Sequence, residues 1–395
     1  METQKHPKIL LTSTQSPGNG GAATNLYKLN KYLLEKGLSV YCIFFLCNKE
    51  NPTNIKADPE KLGNVHCIEC FWKTGELMKY NAKTNKYAAY SPCAIAAQRQ
   101  KITNHLGGTP DSIFAKNYLA PITSRILFPK AKVYYLVSGV YYMSLLNNNS
   151  PTPISAQKVL SDIKHYTALV DTHRTSTSYT NILQEKQTIK MVDGIVYNSL
   201  LTKQLVESYY ESCRHKLSWV INTSFIPENK KELCCFESRR YDILYVCSNF
   251  QRKIKNSELV NRILASSKLS QYKKIVIGDN SSFNPSIPNI EVRKQQPHTE
   301  ILECMRLSKV LLIPSLFDSS PNVLYEAIDC GCNVVLSRNV GNHGLFNNDM
   351  VCSDIYDVDE WIDKVLNGIR TRIPPFKGNN ERDADICKSL LSIIE

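Results

Sequence analysis

Residues 314–331 read PSLFDSSPNVLYEAIDCG, and this stretch decides the fold of the second half of the chain. A short apolar run precedes it, so the order is typical of a buried strand, a loop and a helix. We predict that Ser320 caps the helix and that Pro321 is its first residue, followed by Asn322 and Val323, because these residue types favour those positions. The backbone N–H groups at such a helix start form an anion site suited to a sugar diphosphate.

Two carboxylates flank this predicted helix start. Asp318 stands in the loop just before it, and Glu326 stands about one and a half turns into the helix. Doubly wound sheets bind their ligands at the carboxyl ends of the strands, where this loop lies. Since carboxylates accept hydrogen bonds from sugar and ribose hydroxyls, the stretch predicts a nucleotide-sugar site.

A basic loop follows the first predicted strand of the second half. Residues 246–256 read VCSNFQRKIKN and place Arg252, Lys253 and Lys255 just before the next predicted helix. Fixed cations at this point would neutralise a diphosphate as it becomes the leaving group, so the site would need no metal ion. The alternative interpretation is an ordinary solvated basic loop.

Short apolar runs alternate with helical patterns along most of the chain, and the alternation starts afresh at 241–246. Pro227 and the polar residues after it separate the two series. Residues 73–110 follow neither pattern, and we expect a surface insertion there. The predicted units are an N-terminal Rossmann-like domain at 1–226, a C-terminal Rossmann-like domain at 227–375 and a helix at 376–395 that crosses back to the N-terminal domain.

The stretch at 314–331 resembles the retaining glycosyltransferases of family 4, which have the GT-B fold. Their motif has two glutamates eight positions apart around a Gly-x-Pro turn, and the second glutamate begins Glu-Ala-x-x-x-Gly. The residues that match it in spacing are Asp318, Pro321, Glu326, Ala327 and Gly331. An aspartate thus stands where the family usually has the first glutamate.

The resemblance implies an α/β protein of the GT-B type, with two Rossmann-like doubly wound domains facing a central cleft. It implies a metal-independent, retaining transferase that uses a UDP- or GDP-sugar and a glycan, lipid-linked or protein-linked acceptor. By alignment Arg252 and Lys255, rather than Lys253, act on the diphosphate, and with Asp318 they form the predicted catalytic group. The predicted donor-binding residues are Gly20, Gly21, Ser248, Arg252, Lys255, Asp318, Ser320, Pro321, Asn322, Val323 and Glu326.

The acceptor side departs from the family pattern. Lys116 and Ser138 stand where the family often carries histidine, and His173 is a candidate substitute. These departures, together with Asp318, keep two alternatives open. One is a nucleotide-sugar- or glycan-binding protein of the same fold without catalysis, and the other is a GT-B sugar-nucleotide epimerase.

The excess positive charge lies in the first half of the chain. Residues 1–226 contain 26 Lys and Arg against 14 Asp and Glu, whereas the remaining residues contain 22 of each. A field of one sign favours an anionic partner, and an anionic membrane surface or an acidic acceptor fits it. We find no nucleic-acid-binding motif to accompany the charge, so we expect no nucleic-acid partner.

The sequence has no recognisable targeting or membrane-spanning segment, which favours an intracellular protein. The N-terminus lacks the apolar stretch of a signal peptide, and no apolar run approaches the roughly 20 residues of a membrane span. We therefore expect a cytoplasmic protein, in peripheral contact with a membrane surface if the basic half binds one. The 14 cysteines are then expected to be reduced and mostly buried.

Overall fold

Two parallel sheets organise the molecule in the computed structural model. The described residues are 7–14, 21–47, 64–71, 73–81, 83–84, 86–223, 234–279, 283, 286–376 and 386–395. The predicted junction at 227 and the predicted loop residue Gly20 lie outside these ranges.

The first half contains nine strands among the described residues. They are β1 (Lys8–Ser13), β2 (Ser39–Cys47), β3 (Val65–Cys70), β4 (Met78–Asn81), β5 (Lys86–Ala89), β6 (Ser112–Lys116), β7 (Lys132–Val137), β8 (Gly194–Tyr197) and β9 (Leu217–Val220). Seven of them form one sheet in the order β3-β2-β1-β6-β7-β8-β9, and every neighbouring pair is parallel. The chain therefore reverses its direction of travel across the sheet between β1 and β6.

Helices cover both faces of this N-terminal sheet. They are α1 (Gly21–Glu35), α2 (Pro92–Leu106), α3 (Leu119–Leu127), α4 (Tyr141–Asn149), α5 (Ala156–Ser161), α6 (Ile163–Asp171), α7 (Thr177–Met191) and α8 (Leu200–Tyr209). Leu26, Leu29 and Leu33 of α1 are buried against one face of the sheet. Their spacing of three and four residues is what places them on one side of the helix.

The expected insertion at 73–110 has regular structure. β4 and β5 pair with each other as an antiparallel hairpin, and α2 follows it with Ser91 as its N-cap. The hairpin strands are short and mostly exposed, so their sequence carries little of the apolar alternation that predicts a strand. Phe71 packs edge-on against Tyr87 and holds the hairpin close to the end of β3.

The second half repeats the architecture with six parallel strands among its described residues. They are β10 (Tyr241–Cys247), β11 (Lys274–Gly278), β12 (Ile290–Arg293), β13 (Ser308–Ile313), β14 (Asn333–Ser337) and β15 (Val351–Cys352). Their order is β12-β11-β10-β13-β14-β15, so the chain reverses between β10 and β13. The predicted doubly wound class is correct for both halves.

Four helices flank this C-terminal sheet, and a fifth leaves it. The four are α9 (Ser257–Leu264), α10 (His298–Arg306), α11 (Asn322–Asp329) and α12 (Val358–Arg370). The fifth, α13 (Ile386–Ile394), packs Leu390 and Ile393 into the same apolar cluster as α1. The hydroxyl of Tyr134 on β7 also donates to the carbonyl of Ile393 at 3.3 Å. The last helix of the chain thus lies on the N-terminal sheet.

Direct contacts join the two halves. The N–H of Ala156 donates to the carbonyl of Leu316 at 2.8 Å, and the N–H of Gln157 donates to Asn339 Oδ1 at 2.9 Å. The ammonium of Lys253 donates to the carbonyl of Ser150 at 2.9 Å. These bonds hold loops of the two halves against each other, and doubly wound folds bind ligands in the crevice at the carboxyl ends of their strands.

Candidate active site

An ion pair occupies the switch point of the C-terminal sheet, between the loops that follow β10 and β13. The ammonium of Lys255 donates to Asp318 Oδ2, and both side chains are mostly buried. Lys255 ends a single 3-10 turn, and Asn256 then takes a left-handed conformation with a φ of 57°. The Asn256 amide donates to the carbonyl of Pro314 at 3.2 Å, so the two loops are tied together directly beside the ion pair.

The backbone of Asp318 is fixed by a third loop, which follows β14. Its N–H donates to the carbonyl of Asn339 at 3.1 Å, and its carbonyl accepts from the N–H of Gly341 at 2.6 Å. A side chain does not fit at Gly341, because an added Cβ would lie 1.8 Å from the carbonyl oxygen of Ser319 and 2.4 Å from Ser199 Oγ. The glycine therefore permits both the loop geometry and the contact with the N-terminal half.

The start of α11 differs from the prediction in two respects. Pro321 is the N-cap residue, with extended dihedral angles, and Asn322 and Val323 are the first helical residues. Ser320 does not cap the helix, because its hydroxyl donates instead to Asn222 Oδ1 at 2.8 Å. Since no side chain caps α11, its N-terminal end stays suited to an anion.

Glu326 lies on α11, and two basic side chains approach it from different halves of the molecule. His298 Nε2 is 3.0 Å from Glu326 Oε1, and the ammonium of Lys28 on α1 is 3.5 Å from the same oxygen. Burial alone would raise the pKa of this carboxyl, but His298 and Lys28 together hold the pKa below its ordinary value. Glu326 is therefore an ionised acceptor at the crevice.

The other predicted residues of the basic loop are more exposed. Arg252 and Ser248 both lie at the surface, and the carbonyl of Ser248 accepts from Gln295 Nε2 at 2.7 Å. Lys253, which the alignment does not place on the diphosphate, donates to the carbonyl of Ser150 in the other half of the molecule. The structure thus brings Lys255 and Asp318 together, whereas Arg252 is an exposed residue of the same loop.

The N-terminal half presents a different set of groups to the crevice. Gly21 opens α1, as predicted. Lys116 ends β6, is 2% exposed, and has no hydrogen-bond or ion-pair partner among the described residues. Burial lowers the pKa of its ammonium to about 8.

A row of polar contacts joins Ser138 to the loop that follows β13. The hydroxyl of Ser319 donates to the carbonyl of Ser138 at 2.5 Å, and the amide of Asn198 donates to Ser319 Oγ at 3.1 Å. Asn342 Nδ2 completes the row by donating to the carbonyl of Asn198 at 3.0 Å. The predicted acceptor-side residue Ser138 therefore contacts the loop after β13 through its backbone carbonyl and not through its side chain.

His173 stays apart from these groups in the described contacts. It lies in the turn between α6 and α7, where its N–H donates to Val170 and its carbonyl accepts from the hydroxyl of Ser176. No contact in the described part of the chain joins it to Lys116 or Ser138.

Sequence reasoning missed the groups that reach the site from the opposite half. Lys28 and Asn222 belong to the N-terminal half, yet they contact Glu326 and Ser320. His298 had a usable signal, because it begins the helix just before β13, the strand that leads into the stretch at 314–331. Lys28 had none, since it reads as one more solvated lysine on an amphipathic helix.

Other classes of site are absent from the described residues. They contain no group of three or more His, Cys, Asp or Glu side chains placed to hold a metal ion. Their cysteines are free thiols wherever the side chain is described. Within the same ranges no helix has the length and apolar character needed to cross a bilayer.

Two doubly wound sheets whose switch-point loops meet across one crevice are the architecture of the GT-B glycosyltransferases. Residues 241–372 match the model of the family described as Glycosyl transferases group 1. This match includes the basic loop, Asp318 and Glu326. The predicted fold and the predicted resemblance are therefore confirmed. No curated protein sequence matches the chain.

Solved structures of the same architecture match nearly the whole chain. Sucrose-phosphate synthase from Thermosynechococcus elongatus has a TM-score of 0.56 at 10% identity, with 98% of each chain covered. HepE of Anabaena in complex with UDP-glucose has a TM-score of 0.56 at 13% identity, covering 98% of this chain and 94% of that one. The catalytic domain of starch synthase IV from Arabidopsis thaliana, bound to ADP and acarbose, has a TM-score of 0.55 at 10% identity and coverages of 99% and 95%. At such identities the likeness establishes the fold.

Proposed function

We propose that this protein is a glycosyltransferase that moves a sugar from a nucleotide-sugar donor to a glycan, lipid-linked or protein-linked acceptor, with retention of configuration. The observation that carries the proposal is the Lys255–Asp318 ion pair beside the uncapped start of α11, at the switch point of the C-terminal sheet. A cation, an acceptor of hydrogen bonds and a helix N-terminus are together what a sugar diphosphate requires.

The donor has a defined orientation in this proposal. Arg252 and Lys255 contact the diphosphate and neutralise the charge that develops on it as the glycosidic bond to the donor breaks. Asp318 accepts a hydrogen bond from a sugar hydroxyl, and Glu326 accepts from the ribose. Because Lys255 and Asp318 are paired with each other, the donor exchanges one ion pair for two polar contacts, and neither charge has to be desolvated anew.

The donor class and the metal independence rest on further support. HepE, a structure with the same fold, is a complex with UDP-glucose, and the starch synthase domain is bound to ADP. A UDP- or GDP-sugar fits the same crevice in this chain. Fixed cations in the basic loop supply the positive charge that a divalent ion supplies elsewhere, so we propose transfer without a metal.

A thermal-shift screen of nucleotides and nucleotide sugars, in EDTA and again with magnesium, tests the donor site. A ligand at about 100 times its dissociation constant stabilises the protein by roughly 2.7 kcal/mol, which is a shift of a few degrees. We expect a selective shift in EDTA with one nucleoside diphosphate and its sugar. A shift that needs magnesium would contradict metal independence, and no shift with any donor would contradict the proposed site.

Product analysis then separates transfer from the two alternatives. A transferase consumes the selected donor only when an acceptor is present, and releases the nucleoside diphosphate. An epimerase converts the nucleotide sugar with no acceptor. A binding protein holds the donor unchanged across a broad acceptor panel, and that outcome would overturn the proposed activity while leaving the donor site intact.

The basic N-terminal half also supports a proposed contact with an anionic membrane surface. Between 73 and 110 the chain has six Lys and Arg and only one acidic residue, Glu76. Lys79, Lys83 and Lys86 of the β4–β5 hairpin region are exposed. Co-sedimentation with phosphatidylserine vesicles should be strong at low salt and weak at about 0.5 M salt, because screening removes the attraction. Binding that ignores salt, or no binding at low salt, would contradict this contact.

A further inference from the structure

Lys116 lies at the switch point of the N-terminal sheet. It is the last residue of β6 and pairs in register with Ser13, the last residue of β1. The chain reverses direction across the sheet between these two strands, which is where a doubly wound sheet opens its crevice. Lys116 therefore holds the position in the first half that corresponds to the donor-site loops in the second.

The side chain of Lys116 belongs to the face of the sheet that α1 covers. Side chains alternate along a strand, and Phe114, two residues earlier, packs in the cluster that contains Leu26 and Leu29 of α1. Helix α1 begins at this same edge of the sheet, and its Lys28 reaches Glu326 of the other half. The side chain of Lys116 thus lies on the same face of the sheet as α1, at the end of β6.

An equally buried lysine elsewhere shows that burial does not by itself leave an ammonium without a partner. Lys274 at the start of β11 is 1% exposed, and its ammonium donates to the carbonyls of Tyr272 and Pro288 at 3.0 and 2.9 Å. Lys116 is 2% exposed and has no such bonds among the described residues. A lysine that is 2% exposed and makes no bond to the described part of the protein is suited to pair with an anionic group of a ligand.

We propose that Lys116 is the centre of a second anion subsite, on the N-terminal side of the crevice, that takes a phosphate or carboxylate group of a substrate. The proposal rests on the proposed transferase function and adds a charge requirement to it. The anion is either the donor's diphosphate, held from the side opposite Lys255, or an acidic group on the acceptor. Because the halves are in contact and Lys116 is 2% exposed, the anion enters when they separate.

Isothermal titration of the wild type, K116M and K274M at pH 7 in EDTA tests the subsite. The probes are inorganic pyrophosphate, UDP and GDP for the donor source, and glucose 6-phosphate and glucuronate for the acceptor source. We expect K116M to lower the affinity for either the donor-source probes or the acceptor-source probes at least about tenfold. This is the scale of a lost charge-assisted hydrogen bond. K274M, the matched buried lysine, should bind every probe as the wild type does, and circular dichroism checks the fold of both variants.

The pattern of loss identifies the source. Weaker UDP or GDP together with weaker pyrophosphate assigns the anion to the donor, whereas weaker glucose 6-phosphate or glucuronate alone assigns it to the acceptor. If K116M binds all probes within twofold of the wild type while UDP or GDP still binds tightly, the subsite is wrong and the donor site stands. If the wild type binds none of the probes, the subsite and the proposed function both fail.

A measurement on the wild type alone keeps the proposal testable if K116M does not fold. The affinity for the sensitive anion should fall about tenfold between pH 7 and pH 9, as the ammonium loses its proton around its pKa of about 8. K116R, which stays charged in this range, should show no such fall. An affinity in the wild type that is constant from pH 7 to pH 9 would overturn the subsite.

Discussion

The two switch points of the molecule carry the same residue type in opposite electrostatic states. In the C-terminal sheet Lys255 is paired with Asp318, and nearby Glu326 is paired with His298 and Lys28. In the N-terminal sheet Lys116 has no partner among the described residues. At a paired site the ligand replaces bonds that the protein already makes, which suits a neutral sugar attached to a charged leaving group. An unpaired cation instead gains its first partner from the ligand.

The largest effect is expected from a substitution at Gly341, where the two halves are in close contact. G341A places a methyl group against Ser319 and Ser199, which displaces Asp318 and separates the halves. Because misplacement of a reacting group by about 1 Å costs around a hundredfold, kcat/KM should fall by at least about that factor. G344A is the matched control, since a methyl group there meets nothing within 4 Å. Equal activity of the two variants would contradict the close contact described at Gly341.

Removal of the paired lysine should have the next largest effect. K255A deletes the charge that we propose stabilises the leaving diphosphate, so turnover should fall by at least about tenfold. Steady-state kinetics with the selected donor measures it. K253A serves as the control, because Lys253 contacts only Ser150 across the halves in the described structure, and it should retain turnover within about threefold. Normal turnover in K255A would remove the mechanism as proposed.

A smaller effect is expected at the ribose end of the donor site. E326Q keeps a hydrogen-bond acceptor but loses the negative charge, so affinity for the nucleoside diphosphate should fall about tenfold. Affinity for inorganic pyrophosphate, which has no ribose, should stay within twofold and is the internal control. Since His298 and Lys28 hold the pKa of Glu326 below its ordinary value, the wild-type contact should be lost only as the pH falls through that lowered pKa. Parallel losses for both ligands would contradict the ribose assignment.

The smallest effect concerns stability at the unpaired switch point. The pKa of Lys116 is lowered to about 8, so between that pH and the ordinary lysine pKa of 10.5 the unfolded chain binds more protons than the native one. Stability from this group therefore rises with pH across that interval. K116M should be more stable than the wild type by about 1–3 kcal/mol at pH 7, because an unpaired buried charge is gone, and should lack this rise. Denaturant titrations at pH 7 and pH 10 measure both, and a less stable K116M would contradict the unpaired state.

Local sequence was sufficient for much of the donor site. The strands around 241–246 and 310–313, the basic loop and the helix after Pro321 all follow from apolar runs and turn residues close together in the chain. Lys255 and Asp318 could be assigned to one site in advance because both follow strands that meet at one switch point, but their ion pair was not predicted.

The rest of the site could not be predicted, because it depends on contacts between residues that are far apart in the chain. Ser320 has the residue type of an N-cap, but Asn222 of the other half takes its hydroxyl, and no local pattern reveals that partner. The Lys28–Glu326 contact likewise depends on how the two halves meet. The sequence also marks Lys116 only as a departure from a family pattern, whereas its lack of a partner is a property of the folded sheet.

A crystal structure with the nucleoside diphosphate selected by the thermal-shift screen, grown in EDTA, locates the nucleotide directly. We expect the diphosphate to lie at the N-terminal end of α11, within hydrogen-bond distance of Lys255, and the ribose hydroxyls to contact Glu326. A nucleotide bound elsewhere, or one that binds in this crevice only with a divalent ion between Lys255 and the diphosphate, would contradict this expectation.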